Sequence, residues 1–191
     1  MNLGTNNHTI EFWFYQTSRG QYDTIFTYGS SPPEWTSRSN YFINIGTTQF
    51  SAFIGDGSGG FLAVDGGALI TLNTWHHFAL VRNGSMFTLY INGASRGTLT
   101  SSISIGPQIG SMTFGTWGLN GADRFRGYVS NFRVVNGTAV YTSNFTPPTS
   151  PLTAIPNTQV LLQGLVDRSA NAFTVTTTGS VTLSTSVSPF V

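Results

Sequence analysis

The stretch VRNGSMFTLYINGASRG, residues 81–97, carries two Asn-Gly pairs, Asn83-Gly84 and Asn92-Gly93, with alternating side chains between them. Asn-Gly favours a two-residue β-hairpin turn, because a type I′ turn needs a positive φ at both central residues. The runs WHHFALVR (75–82) and MFTLYI (86–91) are rich in β-branched and aromatic residues, which favour strands. The stretch therefore predicts a meander of three antiparallel strands joined by two tight turns.

The rest of the chain has the same character. Short runs of β-branched and aromatic residues lie between clusters of Gly, Pro, Ser and Asn, at 9–16, 23–28, 40–46, 50–55, 109–115, 160–164, 172–177 and 181–185. No segment shows the apolar period of an amphipathic helix. Many short strands with turns between them predict an all-β fold, as an antiparallel sandwich or barrel.

The chain is predicted to form one domain over residues 1–191. Its 191 residues are enough to bury a single core. Residues 137–159 contain Pro147, Pro148, Pro151 and Pro156, which cannot donate to a β-ladder. We expect this segment to run over the surface as an extended arm.

Charge and cysteine content exclude several classes of function. The eight basic residues are all arginine, they are scattered, and the net charge is +1, so no positive patch for nucleic acid is indicated. No apolar run is long enough to cross a bilayer, and the N-terminal residues lack a signal-peptide pattern. The absence of cysteine removes disulfides and cysteine-ligated zinc. We expect no nucleic-acid partner and no membrane insertion.

Three runs carry a resemblance to a known family: Ile10–Phe14 (IEFWF), Trp75–Gly93 (WHHFALVRNGSMFTLYING) and Gly127–Tyr141 (GYVSNFRVVNGTAVY). They resemble laminin-G-like domains of the concanavalin A-like lectin/glucanase superfamily. The continuation over 141–164 and the closing NAFTVTTTG look like the versions found in tail and other structural proteins of bacteriophages. The resemblance implies a jelly-roll sandwich of two antiparallel sheets, a fold often used to bind glycans or proteins.

One feature departs from the family pattern. Family members usually carry a further strand before the one at 9–16, and here only eight residues precede Thr9. An uncovered edge at this strand would invite pairing with another chain. We therefore expect the edge to be covered by another chain or by the C-terminal hairpin, unless the sequence is part of a longer one.

The acidic residues argue against glycoside hydrolysis, an activity that the superfamily also contains. Hydrolysis needs two carboxyl groups about 5–10 Å apart across the scissile bond, and enzymes of the family carry them in an E-x-D-x-x-E motif. This chain has two Glu and five Asp, and its closest acidic pair in sequence, Asp56 and Asp65, is nine residues apart. We predict a protein without catalytic residues, although residues distant in sequence could still meet.

Metal and phosphate sites have weak signals. His76 and His77 are adjacent on a predicted strand, so they point to opposite faces and cannot bind one metal ion. The loop GDGSGG (55–60) matches G-x-G-x-x-G but leads into a strand-like run, so it lacks the helix that a phosphate site needs. Its alternative interpretation is a Ca²⁺ site with Asp56 and Asp123 as ligands. No other cofactor is expected.

Aromatic residues give the binding hypothesis. Trp13 and Trp75 lie in predicted strands and are expected in the core, whereas Trp35 and Trp117 lie in polar loops. Sugar rings present apolar faces that stack on aromatic rings, while polar side chains bind the hydroxyls. The predicted carbohydrate-binding residues are Trp35, Arg38, Trp117, Asn120, Asp123 and Arg124. Alternatively, the loop tryptophans cap the end of the sandwich or anchor a protein interface.

These observations, with the resemblance, predict an adhesion module. We expect a protein of a virion surface, or another extracellular protein, that binds host cell-surface glycan and contacts other virion proteins, with a homo-oligomer as one form of assembly. The first alternative is a structural protein of a phage capsid or tail whose loops contact neighbouring subunits. The second is a polysaccharide hydrolase.

Overall fold

The computed structural model describes residues 1–29, 39–46, 49–55, 61–107, 112–116, 124–177, 182–184 and 186–190. Within these ranges the chain forms β-strands and no helix, so no helix of the described residues could span a membrane. The strands are β1 (Asn2–Gly4), β2 (His8–Gln16), β3 (Tyr22–Gly29), β4 (Ser39–Gly46), β5 (Gln49–Gly55), β6 (Phe61–Ala68), β7 (Trp75–Asn83), β8 (Met86–Ile91), β9 (Ala94–Thr100), β10 (Ile105–Pro107), β11 (Met112–Phe114), β12 (Gly127–Asn136), β13 (Thr158–Gln163) and β14 (Val166–Asp167).

The strands form two main antiparallel sheets. One has five strands in the order β11-β3-β4-β5-β6, and the other has seven in the order β14-β13-β12-β2-β7-β8-β9. The short strands β1 and β10 pair separately. The all-β antiparallel sandwich predicted from the sequence is thereby confirmed.

The core lies between the sheets and is rich in phenylalanine. In β2 the alternation directs Ile10, Phe12 and Phe14 inward, and all three are buried. The Phe12 ring stacks on Phe78 of β7 at 4.7 Å and on Phe132 of β12 at 6.1 Å between ring centroids. Each such side chain contributes about 1.5–3 kcal/mol when fully buried, so this cluster is a main source of stability.

The two hairpin turns in the stretch 81–97 differ from each other. Ile91 pairs with Ala94, and Asn92 and Gly93 both have positive φ (52° and 76°), so the predicted type I′ turn is confirmed there. In the first hairpin Asn83 pairs with Met86, which makes Gly84 and Ser85 the central residues. Only the first of these two has a positive φ (61°), so the type I′ prediction is wrong at this turn because Asn83 belongs to the strand.

A segment without strands, residues 137–157, lies over the outward face of β7 and β8, and we call it the arm. Its Tyr141 and Phe145 rings stack on each other at 3.5 Å and 5°, and with Ala139 they pack against a buried cluster of the sheet. That cluster consists of Ala79, Val81 and Tyr90. The arm therefore covers apolar surface that would otherwise face water.

Two further expectations are corrected by the structure. The strand β2 is not an edge, because it lies between β12 and β7 and pairs with both. Residues 172–177 form no strand, because the Asp167 carboxylate accepts hydrogen bonds from the backbone amides of Ser169 and Phe173, both at 2.9 Å. The chain after β14 is thereby curled around this side chain, and residues 182–184 also form no strand.

Candidate functional site

The outward face of the seven-stranded sheet carries a network of charged side chains beneath the arm. Arg133 donates to Glu11 Oε1 from Nε at 2.8 Å and from Nη2 at 2.5 Å. His77 Nε2 lies 3.2 Å from Glu11 Oε2, and the Tyr141 hydroxyl donates to the same oxygen at 2.8 Å. Because Glu11, His77 and Arg133 are buried, this network holds the arm on the sheet rather than meeting a substrate.

The ionisation of this network follows from its contacts. Burial alone would raise the pKa of the Glu11 carboxyl, but the His77 hydrogen bond, the charges of Arg133 and His77 and the Tyr141 hydrogen bond outweigh it, so the pKa is lowered. Burial, with the neighbouring Glu11 carboxylate, raises the pKa of the Tyr141 phenol. Glu11 is therefore ionised at neutral pH and Tyr141 is protonated, as their hydrogen bond requires.

His76 and His77 point to opposite faces, as predicted. His76 is directed inward, with Nε2 at 2.9 Å from the Thr71 carbonyl and Nδ1 at 3.0 Å from Asn92 Nδ2. His77 is directed outward, to Glu11. Each ring therefore has a structural role.

A second polar cluster closes one end of the sandwich. The buried Asp23 carboxylate accepts hydrogen bonds from Gln16 Nε2 (2.8 Å), the Gly20 amide (2.7 Å) and Arg126 Nη1 (3.0 Å). A Cβ at Gly20 would lie 2.6 Å from atoms of Asp23 and Arg126, so glycine allows this close approach. The cluster fixes the segment that leads into β12 and contains Arg124.

The predicted carbohydrate-binding residues are mostly outside the described residues, namely Trp35, Arg38, Trp117, Asn120 and Asp123. The predicted calcium ligands, Asp56 and Asp123, are outside them too. In the described part of the chain, no group of three or more His, Cys, Asp or Glu side chains is placed to hold a metal ion. Arg124 is described, is exposed, and forms a backbone β-bridge with Thr24.

A row of polar residues crosses the outward face of the five-stranded sheet, and we call it the polar row. Its members come from β3, β4, β5 and β6 and pair in register: Thr24, Asn44, Ser51 and Asp65. They face outward because the neighbours of Asn44 on β4, Ile43 and Ile45, point into the core. The bridge to Arg124 places that residue next to the Thr24 end of the row.

The polar row contains polar atoms that the described part of the chain leaves unpaired. Thr24, Asn44 and Ser51 are 0%, 6% and 2% exposed, whereas Asp65 is exposed. Among the described residues, neither Thr24 Oγ1 nor Asn44 Nδ2 has a hydrogen-bond partner. Buried polar groups are normally paired, and an unpaired one costs about 1–3 kcal/mol. Both unpaired atoms are buried, so Asp65 is the member of the row that meets solvent.

Aromatic and amide side chains flank the polar row on the same face. Phe53 follows Ser51 by two residues on β5, and its ring meets that of the exposed Phe61 edge to face at 5.2 Å. On the other side, Gln49 Nε2 donates to Ser51 Oγ at 3.2 Å. This face can therefore offer apolar rings together with hydroxyl, amide and carboxylate groups.

The strand tryptophans, predicted to lie in the core, are instead on the outward face of the seven-stranded sheet. Trp13 and Trp75 are both half-buried. Trp13 alternates with the inward Phe12 and Phe14, and Trp75 pairs with the outward Tyr15. The prediction is wrong because membership of a strand does not place a residue in the core; its position in the alternation does.

Trp75 belongs to a second row, which we call the aromatic row. Tyr128 of β12, Tyr15 of β2 and Trp75 of β7 pair in register across three adjacent strands. The ring centroids of Tyr15 and Trp75 are 5.6 Å apart, and those of Tyr15 and Tyr128 are 5.8 Å apart, both edge to face. Tyr128 is 38% exposed and the other two are half-buried, so the row meets solvent.

Sequence reasoning missed both rows, although part of each signal was present. In TIEFWFYQ the alternation assigns Trp13 and Tyr15 to the face opposite Phe12 and Phe14. Asn44 interrupts the apolar run of β4 at an outward position in the same way. The register that aligns these residues with partners on other strands is set by long-range pairing, which the sequence does not display.

The described carboxylates do not form a catalytic pair. Glu11 and Asp23 are buried in the contacts given above, and Asp167 accepts three backbone amides, each at 2.9 Å. Asp65 is exposed, and its Oδ1 accepts from the Gly67 amide at 2.8 Å. Within the described residues, therefore, no two exposed carboxylates face each other across a cleft.

Comparisons with known proteins agree with this architecture. The laminin-G family model described as "Concanavalin A-like lectin/glucanases superfamily" matches residues 1–140. A search of curated proteins finds no match. A proposed carbohydrate-binding protein from Bacteroides ovatus superposes with a TM-score of 0.60 at 16% identity, over 87% of this chain and 50% of that one.

Two other solved structures are similar. The heptameric SAP-like pentraxin from Limulus polyphemus has a TM-score of 0.51 at 15% identity, over 72% of this chain and 67% of that one. The binding domain of botulinum neurotoxin serotype G has a TM-score of 0.56 at 12% identity, over 73% of this chain and 35% of that one. The chain spans about half the length of the Bacteroides ovatus protein, and at these identities the likenesses concern the fold alone.

Proposed function

Because the chain belongs to the concanavalin A-like lectin/glucanase superfamily, we propose that it binds carbohydrate without hydrolysing it. The polar row carries this proposal. A sugar hydroxyl both donates and accepts hydrogen bonds, so it can pair with the exposed Asp65 carboxylate, and with Thr24 Oγ1 and Asn44 Nδ2 once binding uncovers these buried atoms. Phe53 and Phe61 lie beside the row and offer rings for the apolar face of a sugar.

The charge of the face favours a neutral glycan. Asp65 at one end is a carboxylate, and Arg124 at the other is a guanidinium, so the row carries one charge of each sign. Both groups bind hydroxyls well, and neither sign dominates. The loop residues Trp35 and Trp117, with Arg38, Asn120 and Asp123, are proposed to extend this site.

The absence of hydrolysis is proposed from the carboxylates. Of the described ones, three are buried and hold the structure together, and only Asp65 is free to meet a ligand. A second carboxyl group at a suitable distance would be needed for cleavage. The undescribed Glu34, Asp56 and Asp123 leave hydrolysis as the alternative that an assay must test.

The biological setting is proposed from sequence resemblance alone. We place the protein on a virion surface or elsewhere outside the cell, bound to host-surface glycan and to other virion proteins. Many weak sites repeated on one particle would give tight attachment. The alternative is a structural capsid or tail protein whose loops meet neighbouring subunits, and a homo-oligomer would fit either role.

A glycan array probed with the wild-type protein and with Asn44→Leu tests the proposal. Leucine has the same branching as asparagine, is somewhat larger and has no polar side-chain atom, so we expect binding of at least one array glycan to be lost while the fold is kept. Thr88→Val, at a 6% exposed outward position of the other sheet, is the control and should bind as the wild type does. Equal binding by Asn44→Leu and the wild type would show that the polar row is not the binding site. Release of reducing ends from any bound polysaccharide would overturn the non-catalytic role.

A further inference from the structure

We propose that the aromatic row is a second carbohydrate site, on the opposite sheet, so that one chain binds two stretches of neutral glycan. This inference rests on the proposed function and adds a site to it. The row consists of Tyr128, Tyr15 and Trp75, in register across β12, β2 and β7. It lies on the seven-stranded sheet, whereas the polar row lies on the five-stranded sheet.

Part of this outward face is covered by the chain itself. The arm covers β7 and β8 through Tyr141 and Phe145. The next row along β2 contains Trp13, whose ring meets that of Phe190 edge to face at 5.8 Å. The aromatic row lies beyond this cover, and Tyr128 at its end is 38% exposed.

The chemistry of the row suits a ligand with apolar faces and hydroxyl groups. The hydroxyls of Tyr15 and Tyr128 and the indole N–H of Trp75 form no hydrogen bond to the described residues, while their rings are held edge to face. A pyranose ring presents C–H groups to such rings and hydroxyls to their polar tips.

The charges around the row point to a neutral ligand. The next pair of charged side chains on this face, Glu11 and Arg133, is buried under the arm and neutralises itself. Arg126, close in sequence to Tyr128, donates to Asp23 instead. No charged group of the described residues is therefore directed over the rings.

The size of the row favours a glycan over a protein partner. An aromatic side chain offers about 150–250 Å², so three that are mostly half-buried expose on the order of 200 Å² together. A stable protein interface needs about 800 Å² on each partner. Three strands about 4.8 Å apart make a strip about 10 Å across, which suits a short run of linked sugar rings.

Titration of the ¹⁵N-labelled protein with cellohexaose, mannohexaose and chitohexaose tests the inference. We expect the Trp75 indole resonance, assigned by its disappearance in Trp75→Phe, to shift with at least one of them. The affinity obtained from that shift should be about fivefold weaker in Tyr128→Ala, because one stacked ring is lost. Phe173→Ala, which removes another exposed aromatic ring (43%), is the matched control and should leave it unchanged.

The outcomes separate the two proposals. If Asn44→Leu abolishes all binding and Tyr128→Ala leaves it intact, the second site is overturned and the proposed function is kept. Self-association in sedimentation velocity that depends on Tyr128 would also overturn it, because a second copy would then cover the row. A protein that binds none of the hexasaccharides and no glycan on an array would contradict both.

Discussion

Thr24 and Asn44 face each other across β3 and β4, and each has a buried polar atom, Thr24 Oγ1 and Asn44 Nδ2, with no hydrogen-bond partner in the ranges that the structure describes. Two such atoms side by side are costly for a protein that only needs to fold. Both lie on the outward face of a sheet, in a row that ends at the exposed Asp65, and we propose that binding accounts for this cost.

Thr24→Val should increase stability and weaken glycan binding together. Valine keeps the shape of threonine and removes the unpaired hydroxyl, so the free energy of unfolding should rise by about 1 kcal/mol. The lost hydrogen bond to sugar should weaken affinity about fivefold. Urea denaturation and calorimetric titration measure the two effects. A less stable Thr24→Val protein would show that the hydroxyl is paired in the folded state.

Arg133→Met should destabilise the protein strongly. It removes the arginine partner of the buried Glu11 carboxylate, a change that costs about 3–5 kcal/mol. Arg168→Met, at an exposed position, should change stability by no more than about 0.5 kcal/mol and serves as the control. Adding Glu11→Gln to Arg133→Met should recover part of the loss, and a purely additive double variant would contradict the coupling.

The stability should fall as the pH drops from about 6.5 toward 4. Burial lowers the pKa of His8 from 6.5 to about 4, with the Arg82 charge acting in the same direction. The unfolded state therefore takes up a proton at a pH where the folded state does not, and the loss reaches about 3 kcal/mol by pH 4. Urea denaturation between pH 7.5 and 4.5 should show this slope, and His8→Gln should flatten it.

Other groups act in different or overlapping ranges of pH. Burial lowers the pKa of His76 as well, so His8→Gln should retain a smaller slope. Glu11 and Asp167 have lowered carboxyl pKa values, and their contribution is lost only below their ordinary values of 4.5 and 3.8. Equal slopes in the wild type and His8→Gln above pH 4.5 would contradict the assignment.

Gly93→Ala should cost more than Gly84→Ala. Both glycines have positive φ, which costs an alanine about 1–2 kcal/mol. At Gly84 a Cβ meets nothing within 4 Å, whereas at Gly93 it would lie 1.8 Å from the Phe145 carbonyl oxygen of the arm. Thermal unfolding of the two variants compares their stabilities directly. Equal losses of stability would mean that the arm moves away from Gly93 at no cost.

Chelation of metal ions should leave glycan binding unchanged if the polar row binds sugar directly. The calcium alternative, with Asp56 and Asp123 as ligands, predicts the opposite. Array binding with and without EDTA separates them. A loss that added Ca²⁺ restores would establish the calcium site and assign it a part in binding.

The fold was predictable because its signals are local. Asn92-Gly93 specifies the hairpin of β8 and β9 within the stretch 81–97, and the structure has it. The run at 172–177 is rich in β-branched residues, but the contacts of Asp167 fix the preceding turn, and no strand forms there. The composition of residues 172–177 does not show that the Asp167 side chain, earlier in the chain, will bind their backbone.

The candidate site was less predictable because it depends on pairing between distant strands. Thr24, Asn44 and Ser51 are ordinary polar residues until the register brings them together. Trp75 is expected in the core because it lies in a strand, and only its pairing with the outward Tyr15 corrects this. The loop tryptophans Trp35 and Trp117 lie outside the described residues, so their proposed part in binding stays a prediction.

The side-chain amide resonances of Asn44 provide the sharpest test of carbohydrate binding at the polar row. The protein should be titrated with a glycan identified on the array, with the resonances assigned by their loss in Asn44→Leu. We predict that they shift in a saturable way, in step with the binding isotherm from calorimetry. Saturated binding of the glycan with the Asn44 amide resonances unmoved would contradict the proposal.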